Sequence, residues 1–419
     1  MNQENKFATN RSETEKACRS CGHTDLEQVL DLGTTALADR MLHESQLDEF
    51  EPTFPLKVVF CPACSLMQIL ETVDPAMLFD EDYPYFSSFS NYLLEHSKKN
   101  VLELIERRGL GAGSLVVELA SNDGYLLKNY VDNGIPVLGI DPVPALCEAA
   151  EKIGVPSLAE FFGIDVAEKL AADGKQADII HANNVLAHVA DTNGFVAGIA
   201  ALLKPGGMAV IEFPYVRDLI DHCEFDTIYH EHLCYFSVTA VDNLLRRHGL
   251  FLNDVWRLPI HGGSLRLFIE KTEAPLASVT DLLAQEKELG LDRIDYYREF
   301  SRRVENLKEN LVTMLRDLKG SGKSIAAYGA AAKGSTMINF AGIGTDLLDF
   351  VADKNVHKQG RYMPGQRVPI VAAEKIAERQ PDYVLLLPWN LENEILAQEQ
   401  AFRDKGGKFI IPVPEPRIV

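Results

Sequence analysis

The sequence predicts an α/β protein built in three parts, and three observations carry that expectation. Two C-x-x-C pairs, Cys18/Cys21 and Cys61/Cys64, fall within the first 75 residues. A strand, a small polar turn and a helix follow one another in "SLVVELASNDGYLLKNYV" from Ser114, and the same succession returns in "KSIAAYGAAAKGSTMINF" from Lys323. A chain of 419 residues is also longer than one core usually serves, since domains run to roughly 100–200 residues. The expected division is a zinc-binding module over 1–75, a doubly wound α/β core over 76–275, and a helical linker plus a second Rossmann-like α/β unit over 276–419.

Composition narrows the function classes. No apolar run approaches the roughly 20 residues that cross a bilayer, so no membrane partner is expected. The opening "MNQENKFATNRSETEKA" is polar and lacks the apolar stretch of a secretory leader, which predicts a cytoplasmic protein, taken as a monomer. A net charge of −20 argues against a nucleic-acid surface, because counterion release needs clustered Lys and Arg. An anionic ligand must therefore meet a local basic pocket.

The cysteine pairs read as metal ligands in a reducing compartment. Two thiolates in one tight turn grip an ion from the same side, and the second turn completes a tetrahedral set of Cys18, Cys21, Cys61 and Cys64 for structural Zn²⁺. The 39 residues between Cys21 and Cys61 require an excursion between the two turns. A four-cysteine site is coordinatively closed, so it supports folding and not catalysis.

From Leu78 to Arg108 an aromatic, Pro-containing entry leads into apolar residues at helical spacing. Next, "VVELASNDGYLL" delivers Glu118, Ala120, Asn122, Asp123 and Gly124 between a strand and a helix, and "PVLGIDP" ends a second strand on Asp141. The phosphate-binding G-x-G-x-x-G is absent, so a nucleoside without phosphates fits better than a dinucleotide. An acid at the end of the second strand is placed for ribose hydroxyls. Together these features resemble the S-adenosylmethionine site of class I methyltransferases. Asn183 and Asn184 of "NNVLAHV" are expected to line the same pocket, with Phe161 of "AEFFG" bordering the adenine.

Beyond the strands "ADIIHANNVL" and "GGMAVIEFP", the stretch "LDRIDYYREFSRRVENLKENLVTMLRDL" predicts a long helix or helix pair. In "YGAAAKGS" small residues and Lys333 occupy a strand-to-helix turn that can meet a phosphate with backbone N–H groups and an ammonium. His261 and Gly262 of "HGGS" are expected near the substrate.

With "CPACSLMQ", "FDEDYPYFSS", "ELASNDGYLL", "FDTIYHEHLCYFS", "LPIHGGSLR" and "VPEPRIV" in order, the whole chain resembles the S-adenosylmethionine-dependent sugar C-methyltransferases of deoxysugar pathways. Those enzymes methylate C-3 of a nucleotide-linked 4-keto-6-deoxysugar. The resemblance implies that His232 is the base, that Glu231, Tyr229, His188 and Tyr83 surround the sugar, that Tyr85 lies on the substrate side, and that the C-terminal unit holds the nucleotide sugar, with Tyr328, Lys333 and Lys354 on its diphosphate. A histidine near its ordinary pKa of about 6.5 suits proton abstraction at neutral pH, with a neighbouring carboxylate to fix its tautomer. His230 is the expected bystander, and the absence of H-E-x-x-H argues against a metal on "YHEH". O- or N-methylation of a small molecule, and a zinc-stabilised binding protein without catalysis, are the alternatives.

Overall fold

The computed structural model describes residues 12–78 and 87–419. Tyr83 and Tyr85 lie outside the described residues, and the His261 side chain is likewise not described. Five strands open the chain: β1 (Ser12–Thr14), β2 (Glu27–Ala36), β3 (Thr53–Phe60), β4 (Met67–Ile69) and β5 (Glu71–Val73). In β3, Phe54, Leu56 and Val58 are buried while Pro55 and Lys57 face solvent, the period of two that a half-buried strand shows. β2 and β3 pair antiparallel, with register slips that let Gly33, at φ +80°, take left-handed backbone.

The core contributes β6 (Val116–Leu119), β7 (Val137–Ile140), β8 (Ser157–Leu158), β9 (Ala177–Asn183), β10 (Leu203–Pro214), β11 (Cys234–Tyr235), β12 (Phe251–Leu258) and β13 (Ser264–Glu270). Seven of these form one sheet in the order β12-β13-β10-β9-β6-β7-β8. β6 to β10 run parallel, and β13 runs antiparallel to β10. β6 is buried at all four positions, as a strand covered on both faces must be. Neighbouring chain connections leave β6 in opposite directions, toward β7 and toward β9, and ligands of open α/β sheets bind at the carboxyl ends of strands flanking such a switch.

β11 joins a different sheet. Cys234 pairs opposite Gln68 and Tyr235 opposite Met67, so the N-terminal sheet takes its fourth strand from the core. The zinc module and the segment leading out of "YHEH" are therefore one hydrogen-bonded unit.

The helix Asn91–Arg108 begins with the Ser90 hydroxyl accepting from the Leu93 N–H and ends on Gly109 at φ +59°, a serine cap and a glycine stop. In the helix Ile294–Gly320 the buried residues Tyr297, Phe300, Val304, Leu307, Leu311 and Leu315 recur every three or four positions, one apolar stripe. Burying each contributes about 1.5–3 kcal/mol. The preceding helix, Ala277–Leu289, carries the fully buried Glu286. Its carboxylate accepts from the Tyr215 hydroxyl at 2.7 Å and from the backbone N–H groups of Val238 and Thr239 at 2.7 and 2.8 Å. A negative charge thus sits on the N-terminus of the helix Val238–Arg247, where the helix dipole favours it.

The last unit is a six-stranded sheet of β14 (Ile325–Tyr328), β15 (Val351–Asp353), β16 (Ile370–Ala372), β17 (Tyr383–Leu386), β18 (Lys408–Ile411) and β19 (Arg417–Ile418). Its order is β16-β15-β14-β17-β18-β19, parallel except for β19. No described helix is long and apolar enough to cross a membrane.

Candidate active site

The four N-terminal sulfurs lie within 4.8 Å of one another, with Cys18 to Cys64 and Cys21 to Cys61 each at 3.5 Å. A tetrahedral zinc with bonds of ~2.3 Å holds its sulfurs about 3.8 Å apart, so the set fits the ion. Its electrostatics fit too: without a cation, hydrogen bonding from Cys64 holds the Cys18 thiol down to about 5, while burial pushes Cys61 up to about 12. One thiolate suppresses the others until a cation compensates them. Among the described residues no other group of His, Cys, Asp and Glu closes to this spacing.

At the carboxyl end of β6 the chain makes a tight turn with Ala120 at φ +54°, Asn122 at +50° and Gly124 at +80°. Two non-glycine residues in left-handed backbone represent strain that surroundings must hold in place. Asp141, at the end of β7, supplies part of that hold: its carboxylate accepts from the Asn122 N–H at 2.9 Å and the Val143 N–H at 3.0 Å. The Asn122 and Asp123 side chains accept from the backbone of Ser87 and Ser88 at 2.9 and 3.2 Å. Behind the turn, burial together with Asp141 and Asp123 drives the Glu118 carboxyl well above its ordinary range. Glu118 Oε2, Asp123 Oδ1 and Asn183 Oδ1 are buried without hydrogen-bond partners.

These are acceptors and carboxyls awaiting donors and positive charge. S-adenosylmethionine brings an ammonium, a sulfonium and ribose hydroxyls, which is the chemistry this donor-poor turn lacks. Asn184, at φ +53°, donates its N–H to the Glu212 carbonyl at 2.7 Å. The Glu212 carboxylate is held in turn by His96 at 2.8 Å and by Arg266. Burial pushes that carboxyl up, but the bonds from His96 and the Arg266 charge outweigh it and keep it below the usual range. Phe161 is 61% exposed, so it stands at the rim, while Phe162 turns inward against Phe195 at 5.4 Å.

The residues of "IYHEHL" form a turn and not a strand, and they diverge. His232 stacks on Tyr229 with ring centres 4.1 Å apart and meets the edge of His188 at 4.7 Å. His232 Nδ1 lies 2.8 Å from the Thr227 carbonyl oxygen. A carbonyl only accepts, so Nδ1 carries the proton and Nε2 carries the lone pair of the neutral ring. Burial, with the neighbouring His232, pushes His188 well below its ordinary value and keeps it neutral.

Glu231 does not supply the carboxylate expected to fix the His232 tautomer; the Thr227 carbonyl does. Glu231 is buried elsewhere, its carboxyl driven up by burial and by Asp39 of the zinc module, with Lys358 of the last unit opposing. His230 points into the module, its Nε2 donating to the Pro55 carbonyl at 3.1 Å beside the Phe54 ring.

At the end of β14 the Tyr328 hydroxyl is buried without a partner, and the Ala330 N–H donates to Asp353 at 2.6 Å. Gly329, at φ +87°, admits Pro388, which a Cβ there would meet at 2.5 Å. Lys333 and Lys354 separate. Lys333 donates to Asn390 at 2.8 Å and lies 4.8 Å from the Trp389 ring centre; burial lowers its pKa while Asp226 and Glu224 oppose the shift. Lys354 is exposed and bonded to Gln398. Gly262, at φ +89°, brings its backbone against Glu224, whose carboxylate a Cβ would meet at 2.5 Å.

Three segments match known families: residues 18–79 the "Putative zinc binding domain", 92–253 the methyltransferase domain, and 259–414 the C-methyltransferase C-terminal domain. Over 405 residues, 96% of each chain, the sequence is 37% identical to the C-methyltransferase NovU of Streptomyces niveus. The chain belongs to the C-methyltransferase family. A ubiquinone biosynthesis O-methyltransferase of Bartonella bacilliformis is 33% identical over 101 residues, 24% of this chain and 41% of that one. The magnesium protoporphyrin IX methyltransferase of Synechocystis PCC 6803, solved with bound S-adenosylmethionine, aligns with 43% of this chain and 79% of its own at 15% identity and a TM-score of 0.33.

This C-methyltransferase is an S-adenosylmethionine-dependent enzyme with a zinc-binding module, and the readings as a non-catalytic binder or as an O- or N-methyltransferase are set aside. Its structure adds residues that sequence reasoning passed over. Glu224, Asp226, Lys358 and Trp389 converge on the loop carrying His232, and burial pushes Glu224 up to about 8 and Asp226 up to about 6. Asp226 stands two residues ahead of "IYHEH" in the quoted block, a visible signal; Trp389 lies 163 residues away from it and left none.

Proposed function

We propose that this C-methyltransferase methylates C-3 of a nucleotide-linked 4-keto-deoxysugar, in three parts over 1–75, 76–275 and 276–419. Methylating carbon requires a carbanion equivalent, which the neighbouring ketone supplies by enolisation. His232 Nε2 takes the C-3 proton, while its Nδ1–H stays on the Thr227 carbonyl. Tyr229 and neutral His188 lie against the same ring, where preorganised donors stabilise charge developing on the ketone oxygen. Tyr83, Tyr85, Glu231, His261 and Gly262 complete the sugar side in this reading. Tyr328 and Lys333 meet the nucleotide diphosphate; exposed Lys354 takes a peripheral part.

The turn Glu118–Gly124 with Asp141, Asn183 and Asn184 holds S-adenosylmethionine, which supplies an electrophilic methyl when bound. Positioning of the nucleophilic carbon behind that methyl carries much of the rate. The observation that carries the reading is the His232 tautomer: a half-buried histidine whose Nδ1–H is committed to a carbonyl, which puts the basic lone pair on Nε2, beside a tyrosine and a second histidine. The experiment is to incubate the enzyme in D₂O with dTDP-4-keto-6-deoxyglucose and no methyl donor. Deuterium entering C-3 supports enolisation by the enzyme; a C-3 proton retained throughout, under conditions where methyl transfer occurs, would falsify it.

A further inference from the structure

The loop that carries His232 is held from the last α/β unit. Trp389, just after β17, donates its indole N–H to Asp226 Oδ2 at 2.8 Å. Asp226 is fully buried, and its other oxygen has no partner, so the indole is its hydrogen-bonding anchor among the described residues. Asp226 lies in the short 3-10 turn Phe225–Thr227, and the next residue's carbonyl is the one that fixes His232 Nδ1. Two further contacts come from the helix Ala332–Ala341. The Thr336 hydroxyl donates to the Ile228 carbonyl at 3.3 Å, and Phe340 packs edge-on against Phe225 at 5.4 Å. Within the loop, the Thr227 hydroxyl donates to the Glu224 carbonyl at 2.7 Å. Every link from the indole to the imidazole is thus a hydrogen bond or a single peptide unit.

We propose that Trp389 and Asp226 are positioning residues for the base, so that the last α/β unit sets the tautomer and aim of His232. The inference rests on the reading of His232 as base. A bond lost at Trp389 lets the turn relax, and the Thr227 carbonyl no longer meets Nδ1 at one fixed angle. Lys333 lies over the same indole, so a diphosphate engaging Lys333 would press on the ring that anchors Asp226. Nucleotide binding at one end of the substrate and proton removal at the other are then mechanically linked.

The test is Trp389→Phe, which keeps an aromatic face for Lys333 and deletes only the donor, with Asp226→Asn as a second variant that retains an oxygen for the indole. Long-range ¹H–¹⁵N NMR of histidine-labelled enzyme reads the His232 tautomer without any substrate. The wild type should show one Nδ1–H form and Trp389→Phe a mixture. C-3 exchange in D₂O with dTDP-4-keto-6-deoxyglucose should fall roughly tenfold or more in Trp389→Phe, a fraction of what a base contributes, with S-adenosylmethionine affinity unchanged. Asp226→Asn should fall less than Asp226→Ala. A variant Trp389→Phe with the wild-type tautomer and exchange rate overturns the inference and leaves the base reading standing. A wild type that shows no exchange overturns the base reading instead, and the tautomer comparison still decides whether Trp389 holds His232.

Discussion

Replacing Glu224 with glutamine should change how stability depends on pH, in a direction and size that follow from its surroundings. The Glu224 side chain is almost fully buried, its residue only 3% exposed, close to Asp226 and Asp218, and burial, opposed by Lys333, pushes its carboxyl up from 4.5 to about 8. The folded protein therefore keeps this proton where the unfolded chain has released it. A group whose folded pKa is raised gives stability that is fully present below the unfolded value, about 4.5, and lost as pH rises through 8. The slope over that window is about 1.4 kcal/mol per pH unit, which levels off near 8, so the loss between pH 6 and 8 is about 2 kcal/mol. Glu224→Gln cannot ionise and should escape it. Urea unfolding of both proteins at pH 6, 7 and 8 measures the difference. The variant should gain about 2 kcal/mol on the wild type across that range; a difference that stays constant with pH would refute the burial argument.

Three other outcomes follow from the same geometry. Asp141→Asn places an amide N–H₂ against one of two backbone N–H groups, so S-adenosylmethionine affinity measured by calorimetry should weaken roughly 10- to 100-fold, the loss of a charge-assisted bond of about 1.5–3 kcal/mol. Cys21→Ser should remove zinc, read as metal content per chain, and because β11 is paired with β4, it should also abolish turnover while cofactor binding at the β6 turn persists. Gly262→Ala forces a methyl group into the Glu224 carboxylate at φ +89° and should cost at least about 1–3 kcal/mol in thermal or urea unfolding.

The sequence exposed what depends on local pattern. The Cys pairs, the strands at 116–119, 137–140, 177–183 and 325–328, and the small polar turn after Glu118 were all legible, since the strands are runs of buried residues closed by small or polar ones, whereas the left-handed backbone of Ala120 and Asn122 in that turn was not. The edge strands β8, β16 and β19, of two or three residues, carry too short a pattern to show. The pairing of β11 with β4 was equally hidden, because two residues of strand take their meaning from a partner 166 positions away in Gln68↔Cys234. At the site, residue types in "YHEH" suggested acid–base chemistry, but not which atom each side chain meets. Glu231 beside His232 looked like its carboxylate partner, and the turn sends the two apart. Asp226, Trp389 and Lys358 act through tertiary contacts, for which one chain without its fold gives no periodicity to read.

The most direct measurement is C-3 proton exchange by His232→Asn. Asparagine keeps an N–H that can reach the Thr227 carbonyl but has no basic nitrogen, so the loop stays held while the base is gone. In D₂O with dTDP-4-keto-6-deoxyglucose and S-adenosylhomocysteine in place of the methyl donor, the wild type should load deuterium at C-3. The variant should bind S-adenosylhomocysteine with wild-type affinity and leave C-3 protiated, whereas deuterium entering C-3 at the wild-type rate would contradict the assignment of His232 as the base.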